Sequence, residues 1–163
     1  MTGWVPRAEW VKTQPQALLA SCVLMLDGQS RVLLLRYGPG HPNAGRWWLP
    51  GGMLDHGEDP WTAARREMRE ETGVELGPAP QLLGIDHRVD VLGTGPVLDS
   101  FFHGGTLAEG TRIRLSAEHD GHGLFTPSEL VELPLVTRRS TLLALYEAAL
   151  SGDVVYLSEG VPV

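Results

Sequence analysis

Three glutamates, Glu67, Glu70 and Glu71, fall within one turn of a stretch that follows a glycine pair, Gly51-Gly52. Like charges at i,i+3 and i,i+4 repel, each pair costing about 0.2–0.5 kcal/mol on a helix. A cation relieves that cost. Hard divalent ions take oxygen ligands, and Mg²⁺ is typically held by one or two carboxylates together with waters and substrate phosphates. A glycine pair lets backbone approach a ligand or adopt positive φ, and it leaves carbonyl oxygens free to ligate a metal. Taken alone, the glutamates read more simply as a solvated acidic face, because Arg65, Arg66 and Arg69 stand beside them and Arg66–Glu70 is an i,i+4 pair. Their surroundings decide between the two.

The element that must position these carboxylates carries clear helix signals. Asp59 suits an N-cap, Pro60 the first helical position and Gly73 the C-terminal stop. They predict a helix over 59–72. At about 100° per residue, Trp61, Ala64 and Met68 form one apolar stripe, and the glutamates lie roughly 100° around from it. That arc borders the core face, so the carboxylates are expected at the rim of a cleft between helix and sheet.

Around this helix, apolar runs predict strands over 17–26 and 31–37, joined by the turn "DGQS" (27–30). Residues 38–45 read as a loop. "RWWLP" (46–50) is short and extended, because the residue before a proline is pushed out of the α region. Further strands are predicted over 81–92, 97–107 and 123–125. A capped helix is expected over 126–133 with Pro127 at its first position, and an amphipathic helix over 137–152 ended by Gly152. The tail "VVYL" reads either as a last strand or as loose chain, and residues 1–16 as an irregular segment. The pattern is one α+β domain over residues 1–163, with helices flanking a sheet.

The whole chain narrows the function classes. Its 163 residues suffice for one sizeable core, with 42% apolar and 20% charged residues. A net charge of −7 argues against polymeric nucleic acid as partner. It leaves room for a small anionic substrate if a cation mediates. The lone Cys22 excludes an intrachain disulfide. "LASC" looks like a lipoprotein cleavage box, but the preceding "EWVKTQPQALLAS" is too polar for a secretory core of about 7–15 apolar residues. The run reads instead as a buried strand, with Cys22 a small core residue. No stretch approaches the ~20 apolar residues of a membrane span, so no membrane partner and a cytoplasmic location are expected.

The stretch from Gly52 to Val74 resembles the Nudix box: Gly, five residues, Glu, seven residues, Arg-Glu, an aliphatic residue, any residue, Glu-Glu, any residue, Gly, aliphatic. Here these positions hold Gly52, Glu58, Arg66, Glu67, Met68, Glu70, Glu71, Gly73 and Val74. The resemblance implies an α/β/α sandwich with a mixed sheet between helices. It implies an enzyme that uses Mg²⁺ or Mn²⁺ to cut the pyrophosphate of a nucleoside diphosphate linked to another group. Carried onto this chain, Glu70 and Glu71 become metal ligands, Glu67 a ligand or water-orienting base, and the Gly51 carbonyl a further ligand. Arg66 orients the glutamates, and Glu58 supports the loop or a second metal. The family's base can lie outside the box. The segment "SAEHDGHGLFTPSEL" (116–130) offers Glu118 as base and additional metal ligand, with Asp120 second. His119 and His122 flank it without the spacing of a metal site of their own.

On the substrate side, Arg36, Arg46 and Arg88 are candidates for phosphate contacts, although an arginine in such a place is more often a solvated strand-end residue. Trp47, Trp48 and Phe101 could stack a base, although core packing is expected of at least two of the three. The extended motif of coenzyme A pyrophosphatases is missing upstream of the box. The proline that marks many ADP-ribose hydrolases would fall near Val89, and Pro96 comes too late; a tyrosine typical of dinucleoside polyphosphate hydrolases would fall in the same "HRVDVL" stretch. Elimination leaves a housecleaning enzyme for small nucleotides of the NTP or dNTP type. Nucleotide-sugar or ADP-ribose hydrolysis, and a non-catalytic nucleotide-binding sensor, stay as alternatives. Many members dimerise, so a homodimer is compatible with the resemblance.

Overall fold

Alternation along the first long strand sets the layering. In the computed structural model, which describes residues 4–163, β1 (Leu18–Asp27) is buried on both faces. Cys22, Leu24 and Leu26 point into one core and Val23 and Met25 into the other, as the two-residue period of a strand requires. β2 (Val32–Tyr37) splits the same way, with Leu34 on the first side and Leu33 on the second. Such a doubly buried strand needs a helical layer on each face.

The helices supply those layers. The predicted helix forms as α2 (Pro60–Thr72), following α1 (Arg7–Trp10), and packs Ala64 and Met68 onto Val23, Met25, Leu33 and Phe102. α3 (Arg139–Ser151) covers the opposite face with Leu142, Leu145 and Ala148. Between them runs a mixed sheet ordered β3-β2-β1-β6-β5-β8-β9, with β4 paired to β1 and β7 to β2. The remaining strands are β3 (Trp47–Trp48), β4 (Gly51–Met53), β5 (Leu82–Arg88), β6 (Val97–Leu107), β7 (His119–Phe125), β8 (Val155–Ser158) and β9 (Val161–Pro162). β1–β6 and β5–β8 are parallel, and the other strand pairs are antiparallel. This is the expected α+β sandwich.

Several elements differ from the sequence reading. Instead of a helix over 126–133 there is one 3₁₀ turn, Glu129–Val131, whose Glu129 carboxylate accepts from the Thr126 amide at 2.8 Å. Pro134 disfavours helix at Leu133, and the chain beyond bridges to Trp47 in extended form. β7 begins at His119 rather than at 123, because "HDGHG" pairs with β2 through its backbone and shows no apolar alternation. β5 stops at Arg88, where the Asp90 carboxylate accepts from the Gly93 and Gly95 amides and closes a turn. Residues 46–53 make two short strands, and the tail makes β8 and β9. The N-terminal segment is not wholly irregular: α1 is a single helical turn that buries no residue. Residues 1–3, which the same reading included, lie outside the described ones. Among the described residues no helix is long and apolar enough to cross a membrane.

Candidate active site

Caps fix the register of α2, and with it the direction of every glutamate. The Asp59 carboxylate accepts from the Trp61 and Thr62 amides at 2.9 and 3.1 Å. Gly73 ends the helix in the left-handed region at φ 75°. With Ala64 and Met68 buried, the arc beside them holds the carboxylates in graded exposure. Glu71 is 5% exposed, while the Glu67 and Glu70 side chains are 14% and 52% exposed. The cleft rim expected from helical geometry is where they stand.

Arg66 organises the cluster. Its Nε and Nη2 donate to the two oxygens of Glu58 at 2.9 Å each, the bidentate fork for which guanidinium is shaped. Nη1 donates to Glu67 Oε1 at 2.7 Å and lies 3.5 Å from Glu70. Nη2 also donates to the Met53 carbonyl, tying α2 to β4. One cation thus holds the loop, the helix and the strand together, and Glu58 pairs with it from the loop.

The two glycines matter for different reasons. Ser21 pairs with Gly52, and the Val23 amide donates to the Pro50 carbonyl. Antiparallel alternation therefore turns the amide and carbonyl of Gly51 away from β1. The amide donates to Glu71 Oε2 at 2.8 Å, and the carbonyl is left as an available oxygen beside the glutamates. Gly51 also holds φ 149°, and a Cβ there would meet the Ser21 carbonyl at 2.3 Å. At Gly52 a Cβ would meet Glu67 Oε1 at 2.6 Å. Gly52→Ala is therefore expected to push Glu67 out of place. Activity should fall at least tenfold, about 1.4 kcal/mol of barrier, with a melting temperature close to the parent's. Steady-state kinetics alongside a thermal melt measures both.

Electrostatics mark Glu71 as the unusual member. Burial, reinforced by the charges of Glu67, Glu118 and Glu70, pushes its carboxyl up to about 8 against the pull of the Gly51 amide. Burial also raises Glu67, with Arg66 opposing and Glu70 and Glu118 adding. Glu118 thus joins the cluster across the cleft, from the exposed residue just before β7. Its backbone carbonyl accepts from the Gly38 amide at 2.8 Å. The donors are all oxygens, with negative charge in excess, which is the set Mg²⁺ or Mn²⁺ selects. Among the described residues no three such groups already converge as a coordination sphere, since Glu67 and Glu58 are engaged by Arg66. Of the three glutamates on α2, Glu70 has the least commitment.

His119 is the residue that sequence reasoning missed. It is buried, its Nε2 lies 3.7 Å from Glu71 Oε1, and its Nδ1 lies 3.1 Å from the Ser116 hydroxyl. Its ring leans on Tyr37 at 4.7 Å, and Tyr37 stacks on His41 at 4.0 Å. The only sequence signal was its place next to Glu118.

The other candidates are spread more widely. Arg36 pairs with Asp120 at 2.7 Å and lies 5.7 Å from the centre of the Trp47 ring. That contact takes up Asp120, the second choice for a base. Trp47 also meets Phe125 edge-on at 5.0 Å, against the α3-side core. Arg46 donates to the Leu135 carbonyl, where it ties down the chain before α3. Arg88 grips the buried Asp99 at 2.6 Å, on β5 and away from α2. Trp48 and Phe101 are core residues, as expected of two of the three aromatics. Two cavities of about 560 and 460 Å³ open elsewhere, one around Asp27–Arg31 and Thr106–Thr111, the other between α3 and the β8–β9 hairpin. Neither is lined by the glutamates of α2.

Comparison with known proteins agrees with this geometry. The family model described as NUDIX domain matches residues 16–146. An RNA pyrophosphohydrolase from Rhodopseudomonas palustris (strain BisB18) is 64% identical over 28 residues, 17% of this chain and 16% of that protein. An 8-oxo-dGDP phosphatase from Danio rerio is 33% identical over 108 residues, 65% of this chain and 30% of that protein. The matched segments thus span less than a third of either relative. The crystal structure of a mutator MutT protein from Bacillus halodurans superposes with a TM-score of 0.66 at 26% identity, covering 86% of this chain and 88% of that one.

Proposed function

The chain belongs to the Nudix hydrolase family, and from that premise we propose that it is a divalent-metal-dependent pyrophosphohydrolase acting on a small nucleotide, an NTP or dNTP type removed as housecleaning. The observation that carries the reading is the gathering of Glu67, Glu70, Glu71 and Glu118, where burial first, and then the charges of Glu70 and Glu118, raise the proton affinity of Glu67 and Glu71. Such a site is strained without a cation and suits a polyphosphate that arrives with one. The names of the similar proteins, among them an 8-oxo-dGDP phosphatase and a MutT protein, support the choice of a small nucleotide.

Mg²⁺ or Mn²⁺, when bound, offsets phosphate charge and lowers the pKa of water. Glu70, Glu71 and the Gly51 carbonyl would hold it, with Glu67 and Glu118 completing the oxygen set. Arg66 keeps Glu67 from swinging away. Glu118, exposed just before β7, takes the proton as water attacks a phosphorus of the anhydride and the bridging P–O bond breaks, its oxygen leaving with the departing phosphate group. Arg36, lying near Trp47 at the end of β2, offers a cation and a flat ring to the nucleotide; Arg46 and Arg88 keep N–H donors for phosphate beyond their contacts to the Leu135 carbonyl and Asp99. We take the functional unit as one domain over 1–163, working in the cytoplasm on a free nucleoside diphosphate derivative.

The test is a phosphate-release screen with Mg²⁺ over nucleoside triphosphates, oxidised dNTPs, nucleotide sugars, ADP-ribose and dinucleoside polyphosphates. Each is read with and without added pyrophosphatase or alkaline phosphatase. Turnover of a triphosphate that releases pyrophosphate and stops in EDTA is the expected result. Hydrolysis confined to ADP-ribose or a nucleotide sugar would overturn the substrate class. Silence from folded protein with both metals would overturn the enzymatic reading.

A further inference from the structure

His119 and Ser116 form a bridge between the loop that carries Glu118 and the carboxylate of Glu71. The Ser116 hydroxyl receives the Glu118 amide at 3.4 Å and lies 3.1 Å from His119 Nδ1. A hydroxyl that accepts from an amide can give its own proton to Nδ1, and we take the tautomer in which Nδ1 accepts. The ring proton then sits on Nε2, which faces Glu71 Oε1 at 3.7 Å. The other oxygen of Glu71 is already taken by the Gly51 amide at 2.8 Å. Glu71 is thus held on Oε2 by a backbone donor and faced at Oε1 by the imidazole across 3.7 Å, an electrostatic approach longer than a hydrogen bond. Tyr37 supports the imidazole from its face, so the ring has little freedom to turn.

We propose that His119 is a positioning residue that orients Glu71 for cation binding, and that Ser116 fixes the ring so that Glu71 and the Glu118 loop are set as one unit. A carboxylate already turned by its outer neighbours binds metal more tightly, and loss of such partners commonly costs 10–100-fold in affinity. His119 itself ligates nothing in this arrangement. The proposal rests on reading the carboxylates as a divalent-cation site, and the test separates the two.

The probe is Mn²⁺ alone, titrated into the metal-free full chain and followed by calorimetry or by the spin resonance of free Mn²⁺. His119→Ala is expected to weaken Mn²⁺ about tenfold or more. His119→Gln keeps an N–H donor at nearly the same reach and should recover most of the loss. Ser116→Ala, on the half-buried loop, should weaken Mn²⁺ by about threefold with a parent-like melting temperature; it decides the matter should His119→Ala fail to fold. Parent-like Mn²⁺ affinity in His119→Ala, or in Ser116→Ala if the former does not fold, overturns the proposal. So does equal weakening in the Ala and Gln variants, which would mean that the ring only fills space against Tyr37. A parent chain that binds no Mn²⁺ at all overturns the metal-site reading itself, a separate failure.

Discussion

Glu70→Gln is expected to lower kcat/KM by a thousandfold or more, about 4 kcal/mol of transition-state stabilisation, while the fold stays as stable as the parent. The reason lies in how the carboxylates are already committed. Glu58 is spent on Arg66, Glu67 is held by Arg66 Nη1, and Glu71 receives the Gly51 amide. Glu70 has only a loose 3.5 Å approach to Arg66 and is half exposed. It is therefore the oxygen ligand that a cation can recruit without breaking anything. An amide in its place keeps the size and the helix propensity but removes the charge. Because the side chain is exposed, no core contact is lost, and the melting temperature should move by less than about 2 °C. A binding module with this fold would behave differently: the variant would still capture nucleotide, and the parent would show no turnover to lose. Full activity in Glu70→Gln would remove Glu70 from the metal set.

How much of this was legible in the residues follows from the kind of signal each feature leaves. α2 was legible to within a residue because its caps are local chemistry: Asp59, Pro60 and Gly73 act on amides and φ angles next to them. The cleft position of the glutamates followed from the same helix, since 100° per residue is a rigid rule. The backbone role of Gly51-Gly52 was legible too, although their reasons differ, one a clash with β1 and the other with Glu67. What stayed hidden depends on tertiary pairing. β7 is held by backbone bonds to β2 and its "HDGHG" carries no apolar period. The 126–133 stretch looked capped, and indeed Thr126 and Glu129 make that contact, but Pro134 and the bridge to Trp47 draw the chain out after one turn. His119 was hidden for the same reason, because a histidine in a polar loop says nothing about which carboxylate a strand will bring to it. Arg88 and Arg46 show the converse: their residue type suggests phosphate, and only the fold discloses that they also hold Asp99 and the Leu135 carbonyl.

Glu71→Gln is expected to divide stability from function, with pH as the lever. In the metal-free chain Glu71 holds its proton to about 8, chiefly through burial, whereas an unfolded glutamate releases it near 4.3. Between those values the folded state binds more protons than the unfolded state, so stability falls as pH rises through this window and levels off above it. Gln cannot ionise, and its side-chain oxygen still accepts from the Gly51 amide. In EDTA the variant should therefore match the parent near pH 4 and exceed it increasingly toward pH 9. The gain should reach about 2 kcal/mol, which is about 4–8 °C in melting temperature for a chain of this length. Added Mg²⁺ reverses the order. It stabilises the parent by binding the folded state alone, and stabilises the variant far less, while hydrolysis by the variant falls by at least a hundredfold. Thermal melts from pH 4 to 9, with EDTA and with saturating Mg²⁺, measure the stability changes, and steady-state kinetics with Mg²⁺ measures the loss of hydrolysis. Parallel melting curves for parent and variant across the EDTA series would show that Glu71 ionises as an ordinary carboxyl. The buried carboxylate would then store no repulsion for a cation to release, and the case for Glu71 as the inner ligand of the site would fall with it.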